Sequence, residues 1–300
     1  MNRKQKISIL WAILAAVLYA GSAPVSKLLL QHIPPTIMAS FLYLGAGIGM
    51  SMLRFFRLKF SRTYKEQKLS KKETPYTLGM IILDIAAPIL LMIGLTKTTS
   101  ANASLLNNFE IISTSLIALL FFHETIHKKL WIAIGLITLS SMLLSFVDSS
   151  SFSFSAGSLS VILACLCWGL ENNCTRMLSS KDPMQIVVIK GFGSGFGSFV
   201  IALLIGEQLV NVKYMLLALI IGFLSYGLSI FFYVYAQREL GAVITSTYYA
   251  CAPFIGVILS CIFLKETPTI TFTIAFLFML AGTYFVTSDS KSNADIMKNV

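Results

Sequence analysis

The chain has 300 residues, 56% hydrophobic and only 12% charged, with a formal net charge of +10. Soluble domains run at about 45–50% apolar and about 25% charged, so the composition excludes a soluble enzyme, a secreted disulfide scaffold and a disordered chain. The mean hydropathy of +0.79 points to a polytopic membrane protein. The basic residues stand between apolar runs rather than on an amphipathic face, which marks membrane topology and not nucleic-acid binding.

A bilayer core of about 30 Å takes about 20 residues per helix. Taken in chain order, the apolar runs predict ten helices, at 7–30, 35–53, 75–95, 99–121, 130–147, 156–178, 183–205, 213–237, 241–264 and 269–287. Pro34, Pro35, Pro75, Pro183 and Pro268 fall at or just before predicted starts, where a missing N–H costs least. Arg3, Lys4 and Lys6 followed by Ile7–Tyr19 and Ala20-Gly21-Ser22-Ala23 resemble a cleavable signal peptide. The stretch recurs later in the chain, so it is expected to remain as part of the fold.

With the amino terminus inside, alternate connections gather the positive charge. Arg3, Lys4, Lys6, Arg54, Arg57, Lys59, Arg62, Lys65, Lys68, Lys71, Lys72, Lys128, Lys129, Arg176, Lys181, Arg238, Lys291 and Lys298 fall on one side. Lys97, Lys213 and Lys265 fall on the other, and Lys27 and Lys190 lie within spans. The asymmetry places both termini in the cytoplasm of a multi-pass protein of the cytoplasmic (inner) membrane.

The chain also repeats itself. Ile13–Tyr19 aligns with Ile162–Trp168 at a shift of 149, and at that shift Lys27 meets Arg176 and Pro34 meets Pro183. Beyond the long basic loop at 54–74 the shift becomes 142, where Phe121, Glu124, Thr125, Ile132 and Ala133 meet Phe263, Glu266, Thr267, Ile274 and Ala275. The expected domains are 1–150 and 151–300, the second ending in a short cytoplasmic tail. An odd number of spans per repeat inverts the second half relative to the first, as in secondary transporters with a midplane site. The predicted fold is an all-α membrane protein of ten transmembrane helices in two inverted five-helix repeats.

The Ile13–Lys27 run, the ending Phe121-Phe122-His123-Glu124-Thr125, and Ala252-Pro253-Phe254 through Leu264-Lys265-Glu266-Thr267 resemble the drug/metabolite transporter superfamily, EamA type. The resemblance extends over about 7–287. It implies a ten-helix carrier of amino acids, metabolites or organic cations with a central cavity between its halves. That family tends to carry proline in the middle of the fourth and ninth helices. Pro253 keeps it, whereas the matching first-half position is Ile111, beside Glu110.

Other motifs have plainer explanations. His123-Glu124-Thr125-Ile126-His127 matches H-E-x-x-H, the pattern of a zinc peptidase, but it adjoins Lys128 and Lys129, and Glu266, the repeat partner of Glu124, has no histidine beside it. An intramembrane metallopeptidase is therefore the weaker alternative, as is a non-transporting receptor or scaffold. The glycines at 45, 47 and 49 and at 191, 193, 195 and 197 are expected to let helices approach closely. Cys165, Cys167, Cys174, Cys251 and Cys261 lie in apolar segments, an odd count without companion metal ligands, and are read as packing residues.

Ionisable side chains inside spans are costly enough to mark function by default. Asp84 of the third helix and Glu110 of the fourth are both placed at mid-bilayer depth and expected to lie close together, Glu110 on a polar stripe formed by Ala103, Asn107, Glu110 and Thr114. Glu171 and Lys190 sit at equal depth on successive helices and are expected to form a structural ion pair. The candidate substrate-binding or coupling residues are Tyr19, Ser22, Asp84, Asn107, Glu110, Trp168, Tyr226 and Tyr248. The function expected is secondary active transport by alternating access, coupled to protons or to solute exchange. No ATP-binding motif, cofactor, metal or catalytic residue is expected. The partners are a small-molecule substrate and the bilayer, without nucleic acid, in a monomer or homodimer.

Overall fold

The computed structural model describes residues 3–60, 67, 69–122, 128–148, 153–178, 181–240, 245 and 248–298. The described chain is helical almost throughout. The helices are α1 (Arg3–Ala20), α2 (Ser22–Leu29), α3 (Pro35–Phe60), α4 (Thr74–Lys97), α5 (Ser100–Leu106), α6 (Phe109–Phe122), α7 (Lys128–Ser145), α8 (Ala156–Leu178), α9 (Pro183–Leu204), α10 (Val212–Gly222), α11 (Ser229–Leu240), α12 (Ala252–Leu264) and α13 (Ile270–Lys298). A π-helical turn, Phe223–Leu228, joins α10 to α11. One departure from an all-helical chain is a small antiparallel ribbon of Phe146–Asp148 and Ser153–Phe154.

Eight helices among the described residues are long and apolar enough to cross a membrane, with α1 and α2 counted together, likewise α5 and α6, and α10 with the π-turn and α11. Of the other two, α12 is shorter, and α8 has the length but carries Glu171 and Arg176. The chain is therefore a multi-pass membrane protein. Helix starts follow the prolines: Pro35 opens α3, and Pro183 opens α9 with Asp182 accepting the Met184 N–H at 3.0 Å. The H-E-x-x-H motif at 123–127 lies outside the described residues.

Packing pairs α4 with α8, α3 with α9, α7 with α13, and α1 with α11. Glycine sets the closest approach. A Cβ on Gly191 would lie 2.5 Å from the Gly47 backbone, so α3 and α9 meet backbone to backbone. A Cβ on Gly222 would lie 2.0 Å from the Leu42 carbonyl oxygen, which seats α10 on the adjoining face of α3. Without a hydrophobic drive between helices in lipid, such contact is the main source of association.

Candidate functional site

Several spans are interrupted within their length, and each interruption has a visible cause. In the first span Pro24 has no N–H to give Ala20, and the Ser225 hydroxyl takes the Leu18 carbonyl at 2.7 Å, so α1 ends at Ala20 and α2 begins at Ser22. In the fourth, Asn108 turns its amide onto the Leu105 carbonyl at 3.2 Å, and the backbone tightens to Glu110 N–H on Asn107 and Ile111 N–H on Asn108, both at 3.1 Å. Asparagine competing for helix carbonyls breaks a helix without proline. The Cys165 thiol points at the loosened Leu106 carbonyl, 3.6 Å away. In the ninth, Pro253 stands at the start of α12 after a turn at 250–251. The breaks at 107–108 and 250–251 fall at nearly equivalent repeat positions.

These breaks converge. Tyr19, Ala20, Ser22 and Ala23 from the first span, Leu91 of α4, Ser104 and Asn107 from the fourth, Tyr226 of the π-turn, and Ala252, Pro253 and Gly256 of α12 line one narrow cavity of about 10 Å³. That is room for about one water. Both halves of the chain contribute walls. Ser22 donates to the Tyr226 hydroxyl at 3.2 Å, while Ser104 is buried and its hydroxyl has no hydrogen-bond partner among the described residues. Tyr19 packs edge-on to Tyr226 at 5.9 Å and against Tyr249 at the same distance, and Tyr249 contacts Tyr233 at 5.1 Å.

Beside the cavity lies an ionic cluster. The Lys190 ammonium of α9 sits 2.9 Å from the Asp84 carboxylate of α4 and 3.1 Å from Glu171 of α8. Tyr43 of α3 donates to the other Asp84 oxygen at 3.0 Å, and Thr175 donates to Glu171. Asp84 is fully buried, Glu171 nearly so, and the Lys190 side chain is 17% exposed. The Tyr43 ring lies 5.4 Å from that of Tyr226, which joins the cluster to the cavity wall. Trp168 lies against the Tyr43 hydroxyl.

Glu110 has a different environment. It is part-buried one turn below Asn107, and it accepts from the Asn172 amide at 2.7 Å, which also reaches the Thr114 hydroxyl at 3.1 Å. Among the described residues it has an amide and not a cation within contact distance. It lies one turn along the chain from Asn107, which lines the cavity.

Of the sequence candidates, Tyr19, Ser22, Asn107 and Tyr226 line the cavity. Asp84 and Trp168 belong to the adjoining cluster, and Glu110 holds Asn172. Asp84 and Glu110 thus have separate partners. Tyr248 offers its carbonyl to Cys251, while its neighbour Tyr249 is the ring against Tyr19. Ser104, Tyr43 and Asn172 were not anticipated. Ser104 stands three residues before Asn107, a helical spacing that could have found it; Tyr43 has no such signal. Among the described residues no group of His, Cys, Asp or Glu is placed to hold a metal ion.

The EamA-like transporter family matches residues 6–146 and again 155–288. The chain belongs to that family. A protein of Methanothermobacter thermautotrophicus, described as an uncharacterized transporter, is 28% identical over 290 residues, 91% of this chain and 84% of that one. A solved crystal structure superposes with a TM-score of 0.66 at 15% identity, covering 96% of this chain and 98% of the other, and it shares the fold.

Proposed function

We propose that this EamA-family protein is a secondary transporter of a small metabolite, amino acid or organic cation, working by alternating access between two inverted five-helix halves. The observation that carries this is the convergence of broken helices from both halves on one cavity. Transporter sites are built this way, from discontinuous helices at a repeat interface near the midplane. The packing pattern supports the inversion: α1 with α11 repeats α8 with α4, while α3–α9 and α7–α13 join equivalent helices of the two halves.

The repeat also relates the two polar sites. Tyr19 and Ser22 correspond to Trp168 and Glu171 at the shift of 149, and Tyr226 corresponds to Asp84 at 142. One site is neutral and borders the cavity. Its counterpart is ionic and clamped by Lys190. On this basis the cavity side binds solute. Glu110, which among the described residues is hydrogen-bonded by an amide and contacted by no cation, takes up the coupling proton, because a poorly compensated charge at that depth is costly. On this reading both termini face the cytoplasm, the side on which the basic residues gather.

A thermal-shift screen of amino acids, polyamines and quaternary amines, followed by flux in proteoliposomes, tests the proposal. A solute that raises the melting temperature should move across the membrane in response to a pH gradient. Glu110→Gln can still accept from Asn172, so the protein should fold and bind but lose the pH-driven component of flux. Equal pH dependence in this variant and the parent would remove Glu110 from coupling. Binding without flux under any gradient would remove transport itself.

A further inference from the structure

We infer that Lys27 and Glu266 form the latch of the outer gate, two sets of contacts that close the cavity on the side away from the amino terminus and must part in each transport cycle. The inference rests on the transport reading and adds to it the residues that control access.

The two carboxylate oxygens of Glu266, in the connection after α12, accept the backbone N–H groups of Ser100 and Ala101, each at 2.8 Å. Residues of opposite halves, 166 and 165 positions apart, are thereby joined. Ser260 of α12 adds a bond to the Ser100 hydroxyl at 2.9 Å. Lys27, near the end of α2, gives its ammonium to the carbonyls of Leu95 and of Thr98, the latter at 2.7 Å, and lies within the field of Glu266. One charge caps the carbonyl end of α4, and the other caps the amide end of α5.

Position assigns this device to access. The helices it ties together, α2, α4, α5 and α12, each contribute to the cavity wall. Ser100 precedes the cavity residue Ser104 by one turn, about 6 Å along the helix. Lys265, immediately before Glu266, is held in the left-handed region at φ 54°, a conformation disfavoured for a side chain with Cβ. The backbone is bent there in the residue that aims the carboxylate. A second carboxylate at the same end offers a contrast. Glu207 accepts from Thr36 and Ile37 at 3.2 and 2.9 Å, but it spans the α3–α9 seam, where glycine packing holds the halves together away from the cavity. The repeat pairs Lys27 with Arg176 and Glu266 with Glu124, so the sequence carries the same charges at the opposite end. Glu124 lies outside the described residues.

The test uses whole cells, a background without the native cysteines, and Ser104→Cys as a reporter inside the cavity. An impermeant maleimide added outside should label it slowly in the parent and about tenfold faster in Glu266→Gln or Lys27→Met, the shift in opening that loss of charge-assisted bonds produces. Glu207→Gln should leave the rate unchanged. A separate reporter, Ser198→Cys, sits fully buried on α9 and should stay unlabelled, which distinguishes gate opening from unfolding. An unchanged rate in Glu266→Gln, or equal acceleration by Glu207→Gln, overturns the latch. Ser100→Cys with Ser260→Cys leaves both charges in place. Oxidation should stop flux of the solute found by the screen, and reduction should restore it. Undiminished flux in the oxidised protein overturns the latch as well. Faster labelling in a protein that moves no solute counts against transport and leaves the latch standing.

Discussion

Lys190 bridges two carboxylates, and its charge balance sets the order of mutational cost. Asp84, Glu171 and Lys190 together carry a formal charge of −1. Glu171→Gln leaves one acid and one base, a neutral pair that keeps its geometry. Lys190→Met instead strands two acids in the membrane interior, and breaking a buried pair from one side costs about 3–5 kcal/mol. The double change leaves Asp84 alone, still held by Tyr43. Apparent melting temperatures should therefore rank Lys190→Met lowest, the double variant above it, and Glu171→Gln nearest the parent. Glu171→Gln falling as low as Lys190→Met would mean that the carboxylate does more than share a cation. At this scale the sequence conveys depth and not direction. Equal distance from one membrane edge was enough to bring Glu171 and Lys190 to the same height. Asp84 and Glu110 were matched by the same arithmetic, yet α4 turns Asp84 toward α9 while α6 turns Glu110 toward α8. Rotation about the helix axis is decided by packing, which one chain's hydropathy does not encode.

The elements were legible to the extent that prolines and apolar runs mark them. Pro35 and Pro183 open helices where expected, and α8 spans the residues 156–178 read from the sequence. Hydropathy marks where a helix leaves the bilayer and not where it ends, so α3 continues past 53 to Phe60 with Arg54 and Arg57 one turn apart. The interruptions at Gly21 and Asn107 are invisible to it for a related reason: a break lined by other helices keeps an apolar average. Glycine patterning was more informative because close approach has a simple steric signature. Gly222→Ala would drive a methyl into the Leu42 carbonyl, backbone against backbone, with no flexible side chain to yield. The cost should be about 1–3 kcal/mol as overpacking, read as a lower apparent melting temperature. Gly135→Ala meets nothing within 4 Å on its exposed helix face, and should be neutral or gain up to about 1 kcal/mol from helix propensity. Equal effects of the two would show that α10 is not seated on α3 by close contact.

At the scale of the molecule, the helix pairs and the distribution of charge are separate arguments for one architecture. Equivalent helices of the two halves meet at α3–α9, α5–α12 and α7–α13, and non-equivalent ones meet in a repeated pair, α1–α11 and α4–α8. A twofold relation between halves produces this pattern whichever way the protein faces. The facing comes from the basic residues, crowded at the end that holds Arg54, Lys71, Lys72 and Lys181 and sparse at the end that holds Lys97, Lys213 and Lys265. On the proposed reading, that bias puts the positive loops in the cytoplasm. Gln67 and Gln208 are exposed at opposite ends. Gln67 offers only its backbone carbonyl to Asp182, so a cysteine there keeps that bond. In cells expressing a variant without native cysteines, Gln208→Cys should react with an impermeant maleimide from outside, and Gln67→Cys only after the membrane is opened. The reverse result would place the termini outside and turn the latch of Lys27 and Glu266 to face the cytoplasm. Reaction of both from outside would leave the two ends on one side, which no chain crossing between them an odd number of times allows.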